Sequence, residues 1–379
     1  MKLLKLIAVN ILVLLGMLIF LDLTAISLYQ LSNLKIFYHV KSKWRLPNYK
    51  NIEWARAHFK EVNELQSEYR SYIGWRRLPY KGQTITIDEQ GIRITPQSEL
   101  VTEKSPLVVF LGGSAMWGFG VNDANTIPAL FAKIAKGRYR AINFGEPAYN
   151  AFQGYLFLKL QIINGLRPDI VVSYDGVNDG YSLRRGLRPF SHVREDQIRT
   201  AMKGKDRKNE EVLSFSHFFL NPLKAFFSEY KITVKHDVNN AKNNSYDLSQ
   251  ERIEQTAKAL LESWLSTKDL AEKNGANFIA VLQPNAEVGK PYLKHLNFDK
   301  DKLKDRLTYC NLFYPAVLKL LQAPEYQELS NHVIVLTDAF DREEFIYIDF
   351  CHVSPNGNKI IAAKIYNHII NSIDNKTKE

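Results

Sequence analysis

The sequence predicts an α/β fold: a flavodoxin-like three-layer sandwich built on a five-stranded parallel sheet. Two observations carry this. Between residues 105 and 370 short apolar runs alternate with stretches of helical periodicity, the pattern of a parallel sheet covered on both faces. The runs are also apolar throughout, as Leu107-Val108-Val109-Phe110-Leu111 illustrates, rather than alternating with polar residues. Strands buried on both sides require that.

The elements follow in chain order. A strand over Leu107–Leu111 leads to a helix near Thr126–Lys136. A strand over Arg140–Phe144 leads to a helix near Ala151–Asn164. The third strand, Asp169–Tyr174, is preceded by the turn signal Arg167-Pro168. Gln250–Lys273 carries Ile253, Ala257, Leu260, Leu261, Trp264 and Leu265 at helical spacing, and Gly275 marks its stop. Strands at Asn277–Gln283 and His332–Thr337 flank a helix near Asp301–Leu321, and Pro355 opens a last helix running to Ile370. Upstream, Glu61–Tyr69 reads as a short helix. The alternation Ile85, Ile87, then Ile92, Ile94 around a Gly-containing turn reads as a β-hairpin. Residues 33–104 are thus a linker and a small β-rich lead-in, and 105–373 the main domain with an insertion at about 180–249.

The first residues differ in kind. From Leu6 to Leu21 the one polar side chain is Asn10, and with Ile26 and Leu28 the run reaches the ~20 residues that span a bilayer. A cleaved signal peptide is the rival. Its apolar region would be ~7–15 residues long and end in a small-x-small site, whereas Ala25-Ile26-Ser27 sits inside further apolar residues. The expectation is an uncleaved single-pass transmembrane anchor over residues 1–32. Lys2 and Lys5 precede it, but Lys35, Lys41, Lys43 and Arg45 follow, so charge alone allows either topology.

Composition bounds the function classes. At 379 residues, 45% hydrophobic and 24% charged, the chain is neither disordered nor a polytopic membrane protein. Its net charge of +10 favours anionic partners such as phospholipid or acidic glycan, while no zinc-finger spacing or RNA-binding motif points to nucleic acid. Nine Lys or Arg residues fall between Arg184 and Lys208, in the insertion leaving the third strand. They read either as a solvated face or as a lid over the ligand end of the sheet. The two cysteines, Cys310 and Cys351, can build neither a disulfide framework nor a four-ligand zinc site. Two separate thiols are the expectation, and a pair is the alternative if the domain is exported.

Chemistry-bearing residues collect at the strand ends. Gly112-Gly113-Ser114 bends sharply after the first strand and exposes a hydroxyl. Asp349-Phe350-Cys351-His352 supplies a carboxylate and an imidazole. These are the parts of an activated nucleophile. Gly112–Gly120 lacks the Gly-Lys-Ser/Thr of a phosphate-binding loop, and Met116 fills the last glycine position of a Gly-x-Ser-x-Gly elbow. No cluster has metal-ligand spacing, and neither metal nor cofactor is implied.

With Asn143-Phe144-Gly145-Glu146-Pro147-Ala148 and Asp175-Gly176-Val177-Asn178-Asp179, four blocks stand in an order and spacing that resembles the SGNH/GDSL hydrolase superfamily over about residues 105–370. The resemblance implies a serine esterase acting through an acyl-serine intermediate. Ser114 would be the nucleophile, His352 its base and Asp349 the group that orients the imidazole. The oxyanion hole would be formed by the Ser114 amide, the Asn178 side chain and an amide of the second block. The usual glycine of that block is Ala148 here, with Gly145 three residues earlier, so Ala148 and Gly145 both stand as candidates. Gly113 replaces the usual aspartate, which is outside the triad. The resemblance further implies a membrane-anchored bacterial member with an extracytoplasmic domain acting on O-acyl esters of cell-envelope glycans, or on a lipid ester. Alternatives are a polysaccharide O-acetyltransferase and a non-catalytic anchored module of a surface-polymer assembly complex.

Overall fold

Side-chain alternation along the central strands sorts the core into two layers. In a computed structural model, strand β5 (Leu107–Gly112) is buried along its whole length. Its Leu107, Val109 and Leu111 join one apolar cluster, and its Val108 and Phe110 join the other. Strands β6 (Arg140–Asn143), β7 (Ile170–Asp175), β8 (Asn277–Leu282) and β9 (Val333–Val335) complete a five-stranded sheet of order β6-β5-β7-β8-β9. Every pairing in it is parallel. The structure describes residues 43–184, 186–195, 248–296 and 300–376, with scattered positions between 2 and 17 and at 198, 199 and 202.

Helices cover both faces. On one side lie α4 (Ala151–Ile163), α6 (Gln250–Lys273) and α7 (Lys300–Leu320), with Phe157, Trp264 and Phe313 packed into the first cluster. On the other, α3 (Ile127–Ala135) packs on α9 (Pro355–Lys376) through Phe131, Ile361 and Ile365. The starts of these helices are chemically specified. The Thr126 hydroxyl accepts from the Ala129 amide at 3.3 Å. Asn150 and Gln153 form a reciprocal capping box at α4. Ser249 caps α6 through the Arg252 amide at 3.3 Å.

The lead-in is arranged differently from the sequence expectation. The helix read over Glu61–Tyr69 lies instead at α1 (Ala55–Glu64), and strand β1 (Ser67–Arg70) follows it, paired antiparallel with β2 (Gly74–Arg77). Glu61, in the last turn of that helix, directs its carboxylate onto residues 83–85. It accepts from the Gln83 amide at 2.6 Å, the Thr84 amide at 3.0 Å and the Ile85 amide at 3.1 Å. The hairpin read across Ile85–Ile94 is reduced to one bridge, Ile87 to Arg93. The ladder partner of β4 (Thr86–Ile87) is β3 (Tyr80–Lys81). The reason is Arg93, which the alternation places on the polar face but which is fully buried, while Ile94 is 41% exposed. A second bridge, Arg93 to Asn143, fastens this region to the β6 edge of the main sheet.

The described residues of 42–195 and 246–379 fall in one compact unit. The Leu6–Leu31 span expected to cross a membrane falls largely on residues outside the described ones. Among the described residues no helix is long and apolar enough to cross a membrane. Most of the basic insertion, residues 203–247, also lies outside them. Its first part leaves α5 (Val177–Arg184) and is tied down where the Asn150 side-chain amide donates to the Ser191 carbonyl at 2.9 Å.

Candidate active site

Ser114 opens the short helix α2 (Ser114–Trp117) directly after β5. The two glycines before it are demanded by their neighbours. Gly112 has φ +151°, and a β-carbon there would lie 2.6 Å from the Tyr174 carbonyl oxygen. A β-carbon on Gly113 would lie 2.3 Å from Asn178 Nδ2 and 3.1 Å from the Tyr149 carbonyl oxygen. The loops that follow β6 and β7 therefore converge on the backbone that presents Ser114.

The base arrives from a turn 238 residues downstream. His352 Nε2 stands 2.7 Å from Ser114 Oγ. His352 Nδ1 lies 2.8 Å from Asp349 Oδ2 and 3.0 Å from Oδ1. An ionised carboxylate can only accept, so Nδ1 carries the proton and Nε2 accepts from the serine hydroxyl. The turn is closed by Ile348 N–H to the His352 carbonyl at 2.9 Å and Ser354 N–H to the Ile346 carbonyl at 2.8 Å. Asp349 Oδ1 also accepts from the backbone amides of Cys351 at 3.0 Å and His352 at 2.8 Å. Its Oδ2 is in contact with the ammonium of Lys43. Burial alone would raise the Asp349 carboxyl, but the attraction of His352 and then of Lys43 outweighs it and holds the group well below the usual carboxylate range. Phe119 lies against the imidazole, ring centres 4.4 Å apart.

Asp349, Cys351 and His352 offer metal-type ligand atoms within 4.8 Å of one another. The carboxylate and imidazole are already engaged with each other, with Lys43 and with Ser114, so the donor set forms a proton relay. Cys310 and Cys351 are buried and form no disulfide with each other.

The oxyanion candidates separate. Asn178 Nδ2 donates to the Tyr149 carbonyl at 2.6 Å, which leaves its second N–H beside the Ser114 turn. Ala148 adopts φ +70°, a left-handed conformation that costs a residue with a β-carbon about 1 kcal/mol or more. Its N–H has no acceptor among the described residues, and the same holds for the Ser114 amide. Gly145 is excluded: its amide donates to Asn143 Oδ1 at 3.0 Å. The expectation that it serves the oxyanion is corrected, because the buried Asn143 side chain consumes that donor.

Buried charge fixes both loops. Asp179 accepts from the Ala151 amide at 3.1 Å and the Gly176 amide at 3.2 Å. Burial, reinforced by the nearby Asp175, pushes its carboxyl up to about 7. Asp175 itself is held by Ser173 Oγ at 2.5 Å and Trp264 Nε1 at 3.1 Å. In the other loop, Glu146 is fully buried between Arg76 at 3.6 Å and Arg77 at 3.7 Å. Burial raises it to about 7 despite both guanidiniums.

Behind Ser114, Arg93 donates to Asp123 at 2.8 Å and to the carbonyls of Gly118 at 2.8 Å and Val121 at 2.7 Å. It thereby clamps the segment that follows the nucleophile. Beside the His352 turn, a cleft of about 680 Å³ is lined by Pro47, Asn48, Tyr292, Glu343, Phe345 and Ser354, among others.

The structure brings Ser114, His352 and Asp349 into one hydrogen-bonded chain and places Asn178 beside Gly113. Lys43, Arg93 and Phe119 were missed. Lys43 and Arg93 are cations in stretches with no motif, and their partners lie far along the chain.

No family model and no curated protein matches the chain. Solved structures similar to it include a GDSL-like lipase from Bacteroides thetaiotaomicron. It is 14% identical with a TM-score of 0.37, covering 72% of this chain and 91% of that one. The psychrotrophic esterase EstA from Pseudoalteromonas is 10% identical with a TM-score of 0.39, covering 71% and 98%. A carbohydrate acetylesterase family member from Sinorhizobium meliloti is 11% identical with a TM-score of 0.35, covering 70% and 97%.

Proposed function

We propose that this chain is a serine ester hydrolase working through an acyl-serine intermediate. The observation that carries the reading is the continuous relay Ser114–His352–Asp349, at 2.7 and 2.8 Å. Ser114 Oγ adds to the ester carbonyl carbon while its proton passes to His352 Nε2. The imidazolium that forms is stabilised by Asp349. The carbonyl oxygen becomes an oxyanion facing Asn178 and the amides of Ser114 and Ala148. The C–O bond of the leaving group then breaks, and the alkoxide takes the proton from His352. Water repeats the sequence on the acyl-serine, releasing the acid and restoring the hydroxyl.

The substrate class we propose is an O-acyl ester of a glycan. The cleft beside the His352 turn supports this. It is lined by the aromatic side chains of Tyr292 and Phe345, by Glu343, and by two buried polar atoms without hydrogen-bond partners, Asn48 Oδ1 and Ser354 Oγ. Aromatic faces with polar groups between them suit a hydroxyl-rich ring. Ser354 is two residues from His352, so their α-carbons are within about 7 Å.

The test uses a fluorophosphonate, which should label the wild-type chain stoichiometrically and leave Ser114→Ala unlabelled. Absence of labelling in both overturns the esterase reading. Acetate release from an O-acetylated polysaccharide, with none from its deacetylated form, is the expected result for the substrate class. Turnover of p-nitrophenyl acetate without any release from the polysaccharide overturns that part alone.

Asn178→Ala should lower kcat by roughly 10²–10³ with little change in KM, because the lost donor acts on the oxyanion and hardly on the ground-state carbonyl. A rise in KM at constant kcat would instead make Asn178 a substrate-binding residue.

A further inference from the structure

We propose that Lys43 is a positioning residue of the triad: its ammonium holds the Asp349 carboxylate and extends the working range of the relay toward acid. The proposal rests on the esterase reading, and it adds a fourth member from a part of the chain that no motif marks. Lys43 lies 306 residues from Asp349 in sequence, in a short 3₁₀ turn over Lys43–Arg45. Its ammonium contacts Asp349 Oδ2, the same oxygen that His352 Nδ1 approaches at 2.8 Å. It also lies 5.0 Å from the ring centre of Phe119, whose ring packs on the imidazole. The cation is four-fifths buried, with its side chain 18% exposed, so the contact is poorly screened by solvent. A second segment of this region is anchored nearby: Tyr49 OH donates to the Gly120 carbonyl at 2.8 Å.

Two consequences follow from a cation on the far side of the carboxylate. First, every polar position of Asp349 is occupied: Oδ1 by two backbone amides, Oδ2 by the imidazole and the ammonium. The carboxylate cannot rotate away when the imidazole changes charge. Second, the cation offsets part of the carboxylate's pull on the imidazole proton. The charge that forms on the imidazole when it takes the serine proton therefore meets a smaller net negative charge than beside a bare Asp–His pair. The other titratable groups facing the pair are Cys351, whose sulfur is 3.6 Å from His352 Nδ1, and Tyr49, which interacts electrostatically with Asp349. Neither carries a charge in the acidic range, where the effect is read. Lys43 is therefore the one cation acting on the pair among these contacts.

The experiment compares full-length wild type, Lys43→Met and Lys43→Arg. In Lys43→Met the acidic limb of kcat/KM for p-nitrophenyl acetate should move up by about 1–2 pH units. Two unit charges some 5 Å apart at a poorly screened site shift a titration by about that much. In Lys43→Arg the limb should return to the wild-type position, since the guanidinium restores the charge. A uniform fall in rate with the limb unmoved would make Lys43 merely structural and overturn the proposal, and so would an unchanged profile. The titration of the His352 ring protons, followed by NMR and assigned by their loss in His352→Ala, should show the same upward move in Lys43→Met. That measurement needs no turnover. A moved titration in a chain that fluorophosphonate does not label would retain the Lys43 role and reject the esterase reading. An unmoved titration in an active enzyme would do the reverse.

Discussion

Replacing Ser114 by alanine should lower kcat for p-nitrophenyl acetate by at least about 10⁴-fold, because it removes the hydroxyl hydrogen-bonded to His352 Nε2. His352→Ala should cost about the same. The serine proton then has no acceptor, and the alkoxide leaving group has no donor. The double variant should be no worse than either single one, since the two residues act as one unit. Asp349→Ala should fall short of both: it leaves the base in place but removes the group that fixes its tautomer, and it frees Lys43 beside the imidazole. Steady-state kinetics on wild type and the four variants, with circular dichroism to show that each is folded, decide the matter. Equal rates in wild type and Ser114→Ala would remove the serine from the mechanism.

Glu146→Ala should be the most damaging substitution for stability in the oxyanion loops, at about 3–5 kcal/mol near pH 8. It strips Arg76 and Arg77 of their shared carboxylate inside the protein. Glu146→Gln separates shape from charge. In the unfolded chain the carboxyl loses its proton near 4.5, whereas in the folded chain burial delays this to about 7. Between those values the folded state holds more protons than the unfolded state, so this group makes stability fall as pH rises through the window. Glu146→Gln has no proton to lose, and denaturant midpoints measured from pH 4.5 to 8 should lack that component. A midpoint curve parallel to wild type would show that Glu146 titrates normally in the folded protein.

The strands were legible because burial on both faces leaves little choice of residue: the apolar runs at Leu107, Asp169 and Asn277 lie on β5, β7 and β8. The edge strand at His332 was shorter in fact, Val333–Val335, since an edge needs fewer paired residues. Ser114, Asn178, Asp349 and His352 were legible because the chemistry admits few residue types and the sheet fixes where they stand. The lead-in was not. Leu65 turns extended and Tyr69 is 71% exposed, so the apparent helical stripe there is not a packing face. Arg93 and Glu146 were opaque for a different reason. Their place is set by carbonyls and charges distant in sequence, and a charged residue in a chain of net charge +10 does not announce that it is buried. The choice between Gly145 and Ala148 depended on one hydrogen bond from a buried asparagine, which spacing alone does not encode.

The turn bearing Asp349 and His352 is built apart from the main sheet. It is held by its own backbone hydrogen bonds, the isolated bridge Tyr347–Val353, a bond from the Ala286 amide to the Phe350 carbonyl at 2.8 Å, side-chain bonds from Asn48 and His295 to the Tyr347 carbonyl, and the Lys43–Asp349 ion pair. Ser114, by contrast, rides on a strand paired on both sides. Opening the turn therefore takes only part of the free energy of unfolding the molecule. His352 and Asp349 leave together when it opens, while Ser114 stays in place. Under mild heat or denaturant, catalysis would fade before the fold does. The lost activity would return on cooling without refolding, and amide hydrogens of residues 346–354 would exchange ahead of those of the central strands.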